Sequence, residues 1–356
     1  MRVGVLGGGL LGCCTALALA ERGIDVVLLD RNQSLLSRAA VANEGKIHLG
    51  YMYAGDRTFA TARMMMEGAL AFGPFMQRYA GISMETLRLS KPAQYAVHRD
   101  SQHSADDVGS YLREVQRLIV SAAKGRERAY FGFDLSKPLR DWTHQERKAS
   151  FDPEAVVAVF ETPEVSIDPD ALAAALRACI AAHPRIETRL EHTVLRAERD
   201  THRINVVSQH ADGQATDSFD HVVNALWDGR LAIDATMGLN PGRPWLHRLK
   251  YGITFTLPQG LDLPPSITMV SGPFGEIVSY PDRHMYLTWY PECLLSMSTD
   301  ITPPDWSTYP AEPLRSTIIK RSIAAFAEIV PGIDPLNHAD LPDACVKGGV
   351  IVSDQR

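Results

Sequence analysis

Six residues near the start of the chain, Gly7-Gly8-Gly9-Leu10-Leu11-Gly12, carry the G-x-G-x-x-G spacing. Gly7 permits a tight turn, Gly9 lets the backbone approach a diphosphate, and Gly12 lets a helix pack closely on a strand. The N-terminus of that helix offers free N–H groups and a partial positive charge to the phosphates. Asp30, 18 residues beyond Gly12, would accept hydrogen bonds from a ribose diol. The chemistry implied is capture of an adenine dinucleotide. An acidic residue at Asp30 disfavours a 2′-phosphate, which leaves FAD or NAD ahead of NADP.

Elements in register must present that loop. Arg2 to Leu6 reads as a strand, Ala16 to Arg22 as a helix ended by Gly23, and Ile24 to Leu29 as a continuous apolar strand covered on both faces. The positive, apolar start imitates a secretory signal, but Gly4, Gly7, Gly8, Gly9 and Gly12 would weaken its helix, and a second apolar run follows at once. Further along, a helix is expected over Thr58 to Tyr79, a strand over Gln94 to His98 and a helix over Ser104 to Ala123. Asp168 and Pro169 cap and open an alanine-rich helix. Ile186 to Glu198, Ile204 to Gln209 and Phe219 to Leu226 read as strands. The run Tyr251 to Leu257, Ser266 to Ser271, Glu276 to Tyr280 and Met285 to Tyr290, broken by Pro and Gly, predicts an antiparallel sheet. A loop over Ile301 to Pro313 and a helix over Leu314 to Val330 follow.

The 356 residues are 45% hydrophobic and 22% charged, which excludes disordered, collagen-like and coiled-coil chains and suggests two domains. A net charge of −6 with no basic block gives no reason to bind nucleic acid. Five cysteines without C-x-x-C spacing fit neither a disulfide framework nor zinc, and read as reduced thiols of a cytoplasmic protein. No apolar run is long enough to span a membrane. The twelve histidines show no H-x-x-x-H or H-E-x-x-H pairing, so no metal is expected, and the G-x-S-x-G elbow of a serine nucleophile is absent.

The glycine loop with its Asp30-Arg31 strand end, the Asn43-Glu44-Gly45 segment, the FETPEVSIDP element at 160–169, the HTVLRAE strand at 192–198 and the DHVVNAL strand at 220–226 follow one another in order. Together they resemble the FAD-dependent D-amino-acid oxidase superfamily, which includes glycine oxidase and sarcosine oxidase. The resemblance spans most of residues 1–350. It implies an α/β fold: a Rossmann-like FAD-binding domain (1–90, 151–230 and 314–356) interleaved with a mostly antiparallel β substrate domain (91–150 and 231–313). It also implies non-covalent FAD, since Cys345 precedes the final strand. Gly7, Gly9, Leu10, Leu11, Gly12, Asp30 and Arg31 would hold the ADP half. Ser37, Asn43, Glu44 and Gly45 would contact the pyrophosphate and flavin side, the Val194 backbone would meet the adenine, and Asn224-Ala225 would approach the cofactor. In the family the stretch at Asn224-Ala225 usually reads Thr-Gly or Ala-Gly, and Asn224-Ala225-Leu226 lacks that glycine.

A flavin oxidase of this kind removes a hydride from carbon next to nitrogen or oxygen. A carboxylate substrate needs a guanidinium fork or tyrosine hydroxyls. Candidates on the expected sheet are Tyr251, Tyr286, Tyr280, Trp289 and Tyr290, with Arg248, Lys250 and Arg283 as cations and Phe274-Gly275-Glu276 beside them; cross-strand packing is the alternative for the aromatics. A solvated charge is the alternative for Arg283. His48, in the stretch that enters the flavin site in the family, could bond the ring or take a proton, or serve structurally. The expected activity is oxidation of an amino acid or related amine, with O2 one candidate electron acceptor. An NAD-linked dehydrogenase is one competing reading. Another is an impaired flavoprotein subunit, because the ring-covering segment that follows a strand such as Gly348 to Val352 is short here.

Overall fold

The computed structural model describes residues 1–333, 336 and 341–354. A parallel sheet opens the chain, ordered His221–Asn224, Arg2–Leu6, Asp25–Leu29, Ile186–Arg189. Val3, Val5, Leu6, Val26, Val27, Leu28 and Leu29 are buried, as two-sided cover requires. The crossover helix runs Leu10–Ala20 rather than Ala16 to Arg22, because the turn closes at Gly9 and Gly12 already lies inside the helix.

The expected strand Ile186 to Glu198 is two. Ile186–Arg189 ends in the parallel sheet, the chain bends at Glu191 (φ 59°), and Thr193–Arg199 begins a three-stranded antiparallel sheet with Ile204–His210 and Gly213–Phe219. The amides of Glu191 and His192 bond the carbonyls of Asn32 and Asp30, which fixes the bend. Phe219 to Leu226 divides likewise at Asp220, whose carboxylate takes the Arg2 amide at 2.7 Å.

The nine-stranded sheet is mostly antiparallel. Its order is Leu294–Ser298, Trp245–Thr256, His284–Trp289, Gly275–Ser279, Ser266–Met269, Ala93–His98, Val156–Glu161 and Arg140–Asp141, with Cys345–Asp354 paired along Trp245–Thr256. The Ser266–Met269 and Ala93–His98 strands are parallel. Two of its strands, Val156–Glu161 and Cys345–Asp354, come from segments expected on the cofactor side. One face packs Leu249, Ile253, Ile277 and Leu287 against Ile318, Ile319 and Phe326 of the helix Leu314–Ala327. On the other face, the helices Ala60–Ala80 and Ala105–Ala122 cover Tyr95 and Val97. The first of these starts two residues later than expected, since Phe59 adopts φ 57°.

Candidate functional site

The glycine loop has the geometry its spacing implies. Gly7 sits at φ +100°, and a Cβ on Gly12 would lie 1.8 Å from the Gly7 carbonyl oxygen, so neither tolerates a side chain. A Cβ on Gly9, the N-cap of the Leu10–Ala20 helix, would meet nothing within 4 Å, and no side chain caps that helix start. The first amides of a helix lack intrahelical acceptors, so an open, uncapped N-terminus faces outward there, with Leu10 and Leu11 exposed. Asp30 ends the second strand with its Oδ2 on the Gly8 amide (2.7 Å) and Oδ1 on the Asn32 amide (2.8 Å). Oδ1 also accepts the Asn32 side-chain amide (2.7 Å), so of the about four acceptor positions of an ionised carboxylate one is left for a ribose hydroxyl. Ala225 is buried against Gly7 and Gly12.

Other expected cofactor residues have their side chains committed within the protein. Asn43 donates to the Ala39 carbonyl (2.8 Å) and accepts the Gly45 amide (2.7 Å), while Gly45, at φ +70°, abuts Ile167. Asn224 bonds the Arg230 carbonyl and Asp234. Arg31 and Arg38 both pair with Asp228. Val194 lies at a bulge in its strand. Ser37 differs: its Oγ is buried without a partner. The open space at Gly9 and this orphaned hydroxyl fit a diphosphate-bearing cofactor passing from the helix start toward residues 37–45.

Beyond that segment lies a cluster that depends on strand alternation. Leu249, Tyr251 and Ile253 point into the apolar core, so Lys250 and Gly252 face the other way; Glu276, Thr268 and Tyr286 share that second face on neighbouring strands. Lys46 Nζ donates to Glu276 (2.6 Å) and to Thr268 Oγ1; Lys250 Nζ lies 3.8 Å from Glu276 and 4.7 Å from the Tyr290 ring centroid. Residues 45–47 pair with 165–167 through Ile47 N to Val165 O and Ile167 N to Gly45 O. That pairing sets Glu164 beside His48. Glu164 is fully buried and accepts the Leu49 amide (2.6 Å), the Tyr95 hydroxyl and His48 Nδ1 (3.2 Å). His48 Nε2 lies 3.8 Å from Glu44.

The electrostatics follow. Burial would raise the Glu44 carboxyl, but Lys250, the His48 hydrogen bond and Lys46 hold it well below the usual range. Burial would discharge His48, yet Glu164 and the hydrogen bonds to both carboxylates lift it to about 9. Burial opposes ionisation of Glu164 also, and His48 and Lys46 keep its carboxyl low. Lys46 is raised against burial by Glu276, Glu164 and Glu44, and Lys250 by Tyr286 first and then by Glu44 and Glu276. Three carboxylates thus meet three cations. Lys46, Lys250, Glu276 and Glu164 are buried, whereas Glu44 and His48, at 16% and 17% side-chain exposure, form the accessible end.

Of the expected substrate-side residues, the structure brings His48, Lys250, Glu276, Tyr286 and Tyr290 to this cluster. Tyr286 lies over Gly252, where a Cβ would come within 2.5 Å of its hydroxyl oxygen, and that hydroxyl is buried without a partner. Tyr251 stands apart from the cluster: its side chain is on the core face and its hydroxyl donates to Ser307 O (2.7 Å). Arg283 occupies a turn at φ +71° with its guanidinium on the carbonyls of Leu257 (3.1 Å), Pro258 (2.6 Å) and Leu261 (2.8 Å). Sequence reading did not single out Lys46 or Glu164. A charged residue inside a stretch otherwise bound for the core is the signal that marks them. Among the described residues no group of three or more His, Cys, Asp or Glu could hold a metal ion, and no helix is long and apolar enough to cross a membrane.

The chain is similar to the glycine oxidase structure from Geobacillus kaustophilus (TM-score 0.70, 16% identity, 99% of this chain and 84% of that one). It is also similar to the FAD-bound L-alpha-glycerophosphate oxidase from Mycoplasma pneumoniae (TM-score 0.63, 16% identity, 99% and 83%). In sequence it is 34% identical over 108 residues to D-amino acid dehydrogenase 1 of Mesorhizobium japonicum, a match spanning 28% of this chain and 25% of that protein. A family model described as FAD dependent oxidoreductase matches residues 2–345, which decides for FAD over NAD: the chain belongs to the FAD-dependent oxidoreductase family.

Proposed function

We propose that this protein oxidises an amino acid or a related amine at the carbon bearing nitrogen. The observation that carries the reading is the balanced charge cluster whose accessible end is Glu44 beside His48. A zwitterion entering there exchanges the Glu44–His48 pairing for two pairings of its own, its ammonium on Glu44 and its carboxylate on His48 Nε2–H. Little charge is then left without a partner, which limits the desolvation cost of binding. Tyr286, with its unpartnered hydroxyl, supplies a further hydrogen bond.

FAD, when bound, supplies the hydride acceptor. Gly7, Gly9, Gly12, Asp30 and Ser37 would hold it. The remaining work belongs to the chain. Glu44 orients the amine, whose ammonium proton must leave before the carbon gives up its hydride, and His48 the carboxylate, while Lys250 and Lys46 keep Glu44 ionised so that it does not surrender its charge on burial. Glycine oxidase and iminodiacetate oxidase, the latter from Chelativorans sp. BNC1 (TM-score 0.67, 16% identity, 98% of this chain and 83% of that one), are named for substrates carrying both amine and carboxylate.

The test is anaerobic mixing of the FAD-loaded protein with D- and L-amino acids, N-methyl amines and hydroxy acids while recording the visible spectrum. Bleaching by compounds with both amine and carboxylate is expected. Bleaching by hydroxy acids alone would overturn the assignment.

A further inference from the structure

We propose that Glu164 is a positioning residue: as a buried counter-ion it holds His48 as an imidazolium with Nε2–H turned toward Glu44 and the incoming carboxylate. The inference rests on the substrate reading above and adds the device that gives His48 its charge.

The geometry is specific. Glu164 has no exposed surface, and its two oxygens are taken by three donors from two places in the chain: His48 Nδ1 and the adjoining Leu49 amide, and the Tyr95 hydroxyl. A carboxylate so surrounded by donors remains an anion even when buried. It also cannot rotate away, since the Leu49 amide bond at 2.6 Å ties it to the backbone one residue from His48. With Nδ1–H committed to Glu164, Nε2 is the nitrogen left for Glu44, 3.8 Å away. The other charged or titratable groups around the ring come from every neighbouring element. Lys46 lies on the same segment, and the Tyr53 ring stands 6.4 Å from the imidazole, while Lys250 approaches from the sheet through Glu44. Lys46 opposes a charge on His48, but its ammonium is bonded to Glu276 at 2.6 Å, so the carboxylates prevail.

Replacing Glu164 by glutamine preserves shape and removes the negative charge. Loss of an opposite charge within contact distance lowers a histidine by about 1–3 pH units. The measurement is a nitrogen-15 NMR titration of the His48 ring, assigned by the signals missing in His48→Gln. In the FAD-loaded wild type both ring nitrogens should carry the imidazolium signature at pH 8. In Glu164→Gln the titration should fall by at least about one unit, and in Glu164→Asp, which keeps the charge, it should stay high. A neutral His48 at pH 8 in wild-type protein overturns the proposal, and so does an unchanged titration in a folded Glu164→Gln. The wild-type signature decides alone if Glu164→Gln fails to fold. With an amino acid that bleaches the flavin, Glu164→Gln should raise KM about twofold at pH 8 for a fall of one unit, as His48 goes from mostly to about half protonated, and should approach about tenfold only above both titrations. If no amino acid or amine reduces the flavin, the substrate reading fails while the ring titration still reports on Glu164.

Discussion

Gly9 and Gly12 share one motif yet answer to different constraints. Gly12 has no room: a methyl there would press into the Gly7 carbonyl, so Gly12→Ala should cost about 1–3 kcal/mol of stability or more. Gly9 has room in the bare protein, at an ordinary φ of −77°, and the space around its missing Cβ is where a diphosphate would approach. Gly9→Ala should therefore fold within about 1 kcal/mol of wild type while binding FAD about tenfold more weakly, which is about 1.4 kcal/mol. Urea unfolding of the apoprotein beside FAD titration separates the two. Equal losses of stability in both variants would mean the Gly9 space serves packing rather than a ligand. This much was legible in the residues, because a glycine motif states its own steric demand. The charge cluster was only half legible. Glu44 and His48 stood in a recognisable segment, whereas Glu164 is 116 positions from His48 and meets it through the pairing of residues 45–47 with 165–167. No local pattern announces such a pairing.

Elements were read best where one periodicity ran unbroken and worst where a strand changes sheet. The helix Ala105–Ala122 was expected over Ser104 to Ala123, one residue longer at each end, and Ser104 is its cap in the structure. Leu190 to His192 and Asp220 interrupt runs that look continuous in hydropathy, because the bends there are fixed by contacts with Asp30, Asn32 and Arg2, distant in the chain. Arg283 shows the same limit in a turn. Its type suggested a substrate cation, but a residue at the tip of a hairpin is closer to the neighbouring loop than to the sheet face, and its guanidinium closes the 257–261 loop. Arg283→Ala keeps the same φ penalty and removes only the guanidinium. It should destabilise the protein by about 2 kcal/mol or more, from lost charged hydrogen bonds, and leave KM unchanged. An increase in KM without loss of stability would return Arg283 to the site.

At the scale of the molecule, the parallel sheet and the nine-stranded sheet are joined through residues 30–48. The Leu36 amide bonds the Gly8 carbonyl at 2.8 Å, tying this segment to the glycine loop. Farther along, Ala39 lies against Gly349, a Cβ there falling 3.2 Å from the Ala39 Cα, and Gly349 pairs with Lys250. Lys46 then reaches Glu276 across the second sheet. A ligand confined to the glycine loop orders one end of this connection, and a ligand running its length orders both. ADP should accordingly protect amides near residues 7–13 and 30–36 from hydrogen exchange. FAD should protect these and, in addition, residues 37–48 and the facing strands around 249–252 and 347–350. Both ligands are compared at the same multiple of Kd, where the global stabilisation is equal, about 2.7 kcal/mol at 100 Kd. Any difference then reports where each ligand touches. FAD protection that stops at the ADP footprint would separate residues 37–48 from the cofactor, and the Glu44–His48 pair would lose its place beside the reacting carbon.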